Sequence, residues 1–130
     1  MLDKLFVYGT LMQGYNNYRV IEPYGDYLGQ ARLAGFKMLD ISGLFPAIIK
    51  SKKANNVIKS EVYHLRDTTS ALVAMDKLED HPNTYLRQIM TISMVDGQTV
   101  SSWVYVWQLK SDYQVITSGD YRTVRQVRQT

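Results

Sequence analysis

The chain has 130 residues, 45% of them hydrophobic, with a formal net charge of +3 and no cysteine. That length and apolar content suit one domain over residues 1–130 with a buried core. The lack of cysteine excludes disulfides, thiol catalysis and thiolate metal sites, and it fits a reducing, cytoplasmic setting. Met1-Leu2-Asp3-Lys4 leads straight into an apolar stretch, leaving no room for a signal peptide. The long uncharged runs, Leu5 to Tyr18 and Gly97 to Leu109, are both well short of the ~20 residues a membrane helix requires.

The first element is a buried strand over 4–8, where Leu5, Phe6, Val7 and Tyr8 supply the bulk and β-branching. It runs directly into Gly9-Thr10-Leu11. Glycine lets the backbone turn or approach another group closely. Free N–H groups beside a hydroxyl at a sheet end suit a small anionic group, although a strand end of this composition is also an ordinary structural feature. Tyr15 to Ile21 reads as a short helix ended by Pro23. Strands follow near 27–34, 36–41, 46–51 and 57–65, with Ala54-Asn55-Asn56 as a turn between the last two.

Residues 68–80 read as a helix, with Asp67 or Thr68 as N-cap and Pro82 as a stop. On a 100° wheel, Leu78, Ala71, Met75, Glu79 and Leu72 share one arc, which places Glu79 inside the apolar face. Two readings stand for an acid in that position. Either it has a partner such as Arg87 or a frayed helix end, or it is a desolvated carboxylate with the raised pKa a general base needs. Two long strands, 85–95 and 99–109, close the pattern. Asp96-Gly97 between them predicts a hairpin with a type I′ turn. Many strands and few helices predict an α+β fold, an antiparallel sheet curled into a small barrel with helix 68–80 packed beside it.

Other chemistries find little support. His64 and His81 lack metal-ligand spacing, and no nucleophile elbow, phosphate loop or dinucleotide fingerprint is present. Asp76 and Asp80 flank the helix arc, where solvation is the simpler explanation. Lys50, Lys52 and Lys53 form one basic cluster, and Arg122, Arg125 and Arg128 another. Such runs are usually solvated surface, and no nucleic-acid partner is expected from them.

Taken together, Tyr8-Gly9-Thr10-Leu11, Leu78-Glu79 and Tyr85-Leu86-Arg87 resemble the γ-glutamylcyclotransferase superfamily, in its branch of AIG2-like proteins and γ-glutamylamine cyclotransferases. Gly35, Phe45-Pro46-Ala47, Glu61-Val62-Tyr63 and Gly119-Asp120-Tyr121 support the resemblance, which spans roughly residues 5 to 121. Ser60 departs from it, standing where the pattern has glycine. The resemblance implies a mixed β-barrel flanked by a few helices, and an enzyme without metal or organic cofactor. That enzyme would cyclise a small γ-glutamyl amide or peptide to 5-oxoproline and release an amine. It implies Glu79 as general acid and base, and Tyr8, Gly9, Thr10 and Leu11 as the cradle for the glutamyl end. Tyr85 and Tyr121 would be further substrate-binding residues, and Arg87 a structural ion-pair partner. The rival expectation is a binding module for γ-glutamyl or other carboxylate ligands without turnover, with nucleic-acid binding a more distant third.

Overall fold

In the computed structural model, which describes residues 2–53 and 55–125, ten elements and a short turn of 3-10 helix follow one another. They are β1 (Lys4–Val7), α1 (Tyr18–Ile21), β2 (Gly25–Ala34), β3 (Phe36–Ile41), β4 (Phe45–Lys50), β5 (Val57–Leu65), α2 (Thr68–Glu79), β6 (Tyr85–Met94), β7 (Thr99–Trp107) and β8 (Gln114–Ile116), with the 3-10 turn at Tyr121–Thr123. The strands divide into a closed barrel in the order β1-β5-β2-β6-β7 and a three-stranded sheet in the order β4-β3-β8.

β1 explains why its sequence is apolar without alternation. It pairs antiparallel with β5, Leu5 opposite Tyr63, and parallel with β7, Leu5 opposite Trp103. Hemmed in on both sides, Leu5, Phe6 and Val7 are all buried, as a central strand covered on both faces requires. The β1–β7 pairing also corrects the expectation of a wholly antiparallel sheet: the barrel is mixed. Parallel closure is available because the chain from α1 through β6, α2 included, intervenes between the two strands.

β3 and β4 form a hairpin in register from Phe36 opposite Lys50 to Ile41 opposite Phe45. Phe45 packs its ring 6.2 Å from Trp107 of β7, so the small sheet leans on the barrel. β8 pairs with β3 and has only three residues, too few to show a period in the sequence. Near it, a Cβ on Gly119 would sit 1.9 Å from the carbonyl oxygen of Val57, and the residue's φ is +67°. Both features demand glycine there.

The predicted turn at Asp96-Gly97 exists, but its type differs. Gly97 has φ +91°, whereas Asp96 is not among the positive-φ residues. The N–H of Gly97 donates to the Met94 carbonyl at 2.9 Å, and that of Met94 to the Gln98 carbonyl at 2.7 Å. This is a type I turn relieved by a left-handed glycine, which spares Asp96 the positive φ that a type I′ turn would impose. Of the predicted turn Ala54-Asn55-Asn56, Ala54 lies outside the described residues, as does Arg128 of the C-terminal basic cluster. Among the described residues no helix is long and apolar enough to cross a membrane.

Candidate active site

The chain leaves the barrel at Tyr8 and turns at once. The N–H of Met12 donates to the Gly9 carbonyl at 3.1 Å, and Asn17 clamps Thr10 twice, N–H to carbonyl at 3.0 Å and side-chain amide to hydroxyl at 2.8 Å. The Thr10 oxygen therefore accepts a bond and keeps its own proton for another partner. Among the described residues, the N–H groups of Gly9, Thr10 and Leu11 donate to no protein acceptor. Gly9 is needed for a steric reason. A Cβ there would stand 2.8 Å from Cγ and 3.0 Å from Cδ of Pro46, on β4. The proline forms the wall facing the turn.

Behind the turn, Glu61 of β5 anchors the next residues. Its buried carboxylate accepts from the Gln13 N–H at 3.1 Å and from the Tyr63 hydroxyl at 2.8 Å. The buried Ser60 hydroxyl donates to the Val7 carbonyl, so serine in place of glycine adds a strand-to-strand bond.

The opposite wall comes from α2. Asp67 caps the helix by accepting from the Ser70 N–H, and Asp80 ends it in the left-handed conformation, φ 51° and ψ 48°. Ala71 and Met75 sit in the core, and Glu79, one turn beyond Met75, faces the cavity. Arg87, the expected partner, is engaged elsewhere. It forms a fork on Asp76, Nε to Oδ1 at 2.8 Å and Nη2 to Oδ2 at 3.0 Å, and its guanidinium lies 4.2 Å from the Trp103 ring centre. Glu79 has no hydrogen bond or ion pair among the described residues, and burial alone raises its pKa from 4.5 to about 7. Desolvation disfavours the charged form, and nothing nearby offsets it.

Asp76 corrects the expectation that it is merely solvated. The Tyr105 hydroxyl joins Arg87 on its carboxylate at 2.6 Å, and both charged partners are largely shielded, with 25% and 17% side-chain exposure. The register of β6 against α2 determines which acid the arginine reaches, and a helix wheel carries no information on that.

Between these walls lies a cavity of about 390 Å³, lined by Tyr8, Gly9, Thr10, Leu11, Glu79 and Tyr85, together with Asn17, Pro46, Tyr105 and their neighbours. Six of the seven sequence-predicted site residues thus meet in one place. The seventh does not. Tyr121 is buried beside Tyr15, ring centres 5.6 Å apart, and is absent from the cavity lining. The Tyr85 hydroxyl donates to the Pro46 carbonyl at 2.9 Å instead of pointing freely inward, while its ring packs edge-on against Trp107. Tyr8 donates to the Tyr105 carbonyl at 2.7 Å. Burial, followed by the nearby negative charge of Glu79, pushes the Tyr85 hydroxyl above its ordinary range. Burial, Tyr85 and Glu79 do the same to Tyr8. Both stay neutral hydrogen-bond donors.

Asn17, Pro46 and Tyr105 were not singled out as site residues from sequence. For Tyr105 no alternation gave a signal, because Trp103 to Trp107 is an unbroken apolar and aromatic run in which Val104 to Trp107 are all buried. Which face looks onto the cavity depends on barrel closure. Of the two histidines, His81 accepts the backbone N–H of Arg87 on Nδ1 at 3.0 Å, and His64 lies 3.0 Å from Asp3.

The family profile for gamma-glutamyl cyclotransferase, AIG2-like, matches residues 5–123. A Methanocaldococcus jannaschii protein provisionally described as a gamma-glutamylcyclotransferase is 28% identical over 127 residues, covering 95% of this chain and 99% of its own. The gamma-L-glutamyl-butirosin B gamma-glutamyl cyclotransferase of Niallia circulans is 26% identical over 129 residues, covering 95% of this chain and 78% of its own. In structure, an AIG2-like protein from Mus musculus superposes with a TM-score of 0.77 at 20% identity, over 99% of this chain and 95% of that one. Those matches, over a mixed barrel whose cavity gathers the motif residues, show that the chain belongs to the gamma-glutamyl cyclotransferase, AIG2-like family.

Proposed function

We propose that the protein cyclises a γ-glutamyl amide or peptide to 5-oxoproline and releases the amine, with Glu79 as general base and then general acid. The observation that carries this reading is a carboxylate without a protein partner among the described residues, its pKa raised to about 7 by burial, in one cavity with the N–H groups of Gly9, Thr10 and Leu11, which meet no protein acceptor among those residues either.

The substrate's α-ammonium must lose a proton before its nitrogen can attack. Glu79 takes that proton, and the freed amine attacks the γ-carbonyl carbon of the same molecule. A new C–N bond closes the five-membered lactam. The bond to the leaving nitrogen then breaks, and that nitrogen receives the proton held by Glu79. The attacking nitrogen gives up its second proton to the re-ionised Glu79 carboxylate, from which it passes to the released amine or to solvent. A carboxylate with a pKa near 7 accepts and returns a proton with little penalty either way. The N–H groups of residues 9–11 and the Thr10 hydroxyl supply donors for the anionic end of the substrate or the developing oxyanion. Tyr8 and Tyr85, each tied to a backbone carbonyl, shape the pocket. Limiting water favours cyclisation over hydrolysis of the same amide.

The test is 5-oxoproline release from a panel of γ-glutamyl amides and dipeptides. Release from at least one member is expected. Binding of panel members without release would favour a carboxylate-recognition module instead.

A further inference from the structure

We propose that Asp76 is a positioning residue for Glu79: gripped by Arg87 and Tyr105, its carboxylate fixes the last turn of α2 and so the place of the Glu79 side chain in the cavity. The inference rests on the reading of Glu79 as the reacting carboxylate.

Asp76 lies three residues before Glu79, less than one helical turn away. Its carboxylate receives three bonds, two from the Arg87 fork and one from Tyr105. A bidentate guanidinium on a shielded carboxylate fixes orientation as well as distance. Arg87 is itself held at both ends, Trp103 lying against its guanidinium and its backbone N–H donating to the His81 imidazole. The backbone of Asp76 closes the same end of the helix. Its carbonyl accepts the N–H of His81 at 2.9 Å and that of Asp80. Asp76 thus holds the segment 76–81 by side chain and main chain together.

The same contacts reach the cradle. The carbonyl of Tyr105, whose hydroxyl holds Asp76, accepts the Tyr8 hydroxyl. One continuous set of bonds therefore joins the strand that ends in Gly9-Thr10 to the helix turn that carries Glu79. Burial would raise the pKa of Asp76, but the bonds from Arg87 and Tyr105 outweigh it and hold the carboxyl below its ordinary range. Asp76 is a permanent anion, unlike Glu79. Misplacing a reacting group by about 1 Å costs on the order of 10²-fold in rate, so a fixed turn is worth three bonds.

The titratable groups around Glu79 are Tyr8 just after β1, Tyr85 from β6 and Tyr105 from β7, with Asp76 and Asp80 on its own helix end. Replacing Asp76 by a neutral residue would change the local charge, so the decisive variants are the charge-conserving Arg87→Lys, which removes the fork, and Tyr105→Phe, which removes one bond and keeps the ring. Two readouts are taken on each: the titration midpoint of the Glu79 carboxyl carbon by NMR, and kcat and KM for 5-oxoproline release. A loosened turn lets Glu79 reach water. Its midpoint should fall by about one pH unit, the scale of a modest change in desolvation, and kcat by roughly tenfold at a KM within about threefold. A folded Arg87→Lys or Tyr105→Phe protein with the wild-type midpoint would overturn the inference, even where its Tm has dropped. A midpoint that moves in a protein without any Glu79-dependent turnover would instead retain the positioning role and sink the catalytic reading.

Discussion

Replacing Glu79 by glutamine should make the protein more stable above neutral pH and leave its stability unchanged in acid. The folded state raises the Glu79 pKa from 4.5 to about 7 through burial, so it binds that proton more tightly than the unfolded chain does. Glu79's favourable contribution is therefore fully present below about pH 4.5 and is lost as the pH rises through 7. At pH 8 the charged side chain costs about 3 kcal/mol relative to a neutral one, taking 1.36 kcal/mol per pKa unit. That figure is a ceiling, because the side chain faces an open cavity instead of a sealed core. Glutamine has nearly the same shape and no charge to desolvate. The difference between variant and wild type should grow from near zero at pH 4 to about 3 kcal/mol at pH 8, or roughly 10 °C in Tm for a chain of this size. Urea unfolding at pH 4, 5, 6, 7 and 8 measures it, and comparing two proteins that share every other acid cancels the contributions of Asp3 and Asp76. Parallel stability curves would mean that the Glu79 charge is well solvated, and the argument for a tuned base would fail with them.

Other consequences follow from the same geometry. The acid limb of kcat/KM should fall tenfold per unit below a midpoint near pH 7, since only ionised Glu79 can take the proton; a limb near pH 4.5 would place the essential base elsewhere. Gly9→Val drives a branched side chain into Pro46, already 2.8 Å from a Cβ at that position. Overpacking of this kind costs about 1–3 kcal/mol, and substrate affinity should drop with it; a folded variant with the wild-type KM would remove the cradle from the account. Gly119→Ala meets the Val57 carbonyl oxygen at 1.9 Å and should destabilise by about 3 kcal/mol, read as a lowered urea midpoint, with an unchanged midpoint counting against the described packing.

How much of this was legible in the sequence differs from element to element. β1 and α2 were readable because local pattern determines them. Leu5, Phe6, Val7 and Tyr8 running into Gly-Thr make a strand that must end there, and the 3.6-residue period puts Glu79 on the face of Ala71 and Met75. The partner of Arg87 was not readable, since choosing Asp76 over Glu79 depends on how β6 registers beneath α2. Leu78 shares the wheel arc with Met75 yet is 38% exposed, because at the helix end that face gives onto the cavity mouth and not the core. The parallel β1–β7 contact joins residues nearly a hundred positions apart, and no local period reports it. Tyr121 lies outside the cavity lining for a related reason: Gly119-Asp120-Tyr121 turns its ring toward Tyr15, a contact set by where the C-terminal segment crosses the barrel.

The most direct test of the central claim is the rate of 5-oxoproline release by wild type and Glu79→Gln on the best γ-glutamyl substrate found, at pH 8, where glutamine does not destabilise the fold. A positioned general base contributes on the order of 10²-fold or more, so the variant should lose at least that much while binding the substrate with near wild-type affinity. Equal rates would remove Glu79 from the chemistry and contradict the account.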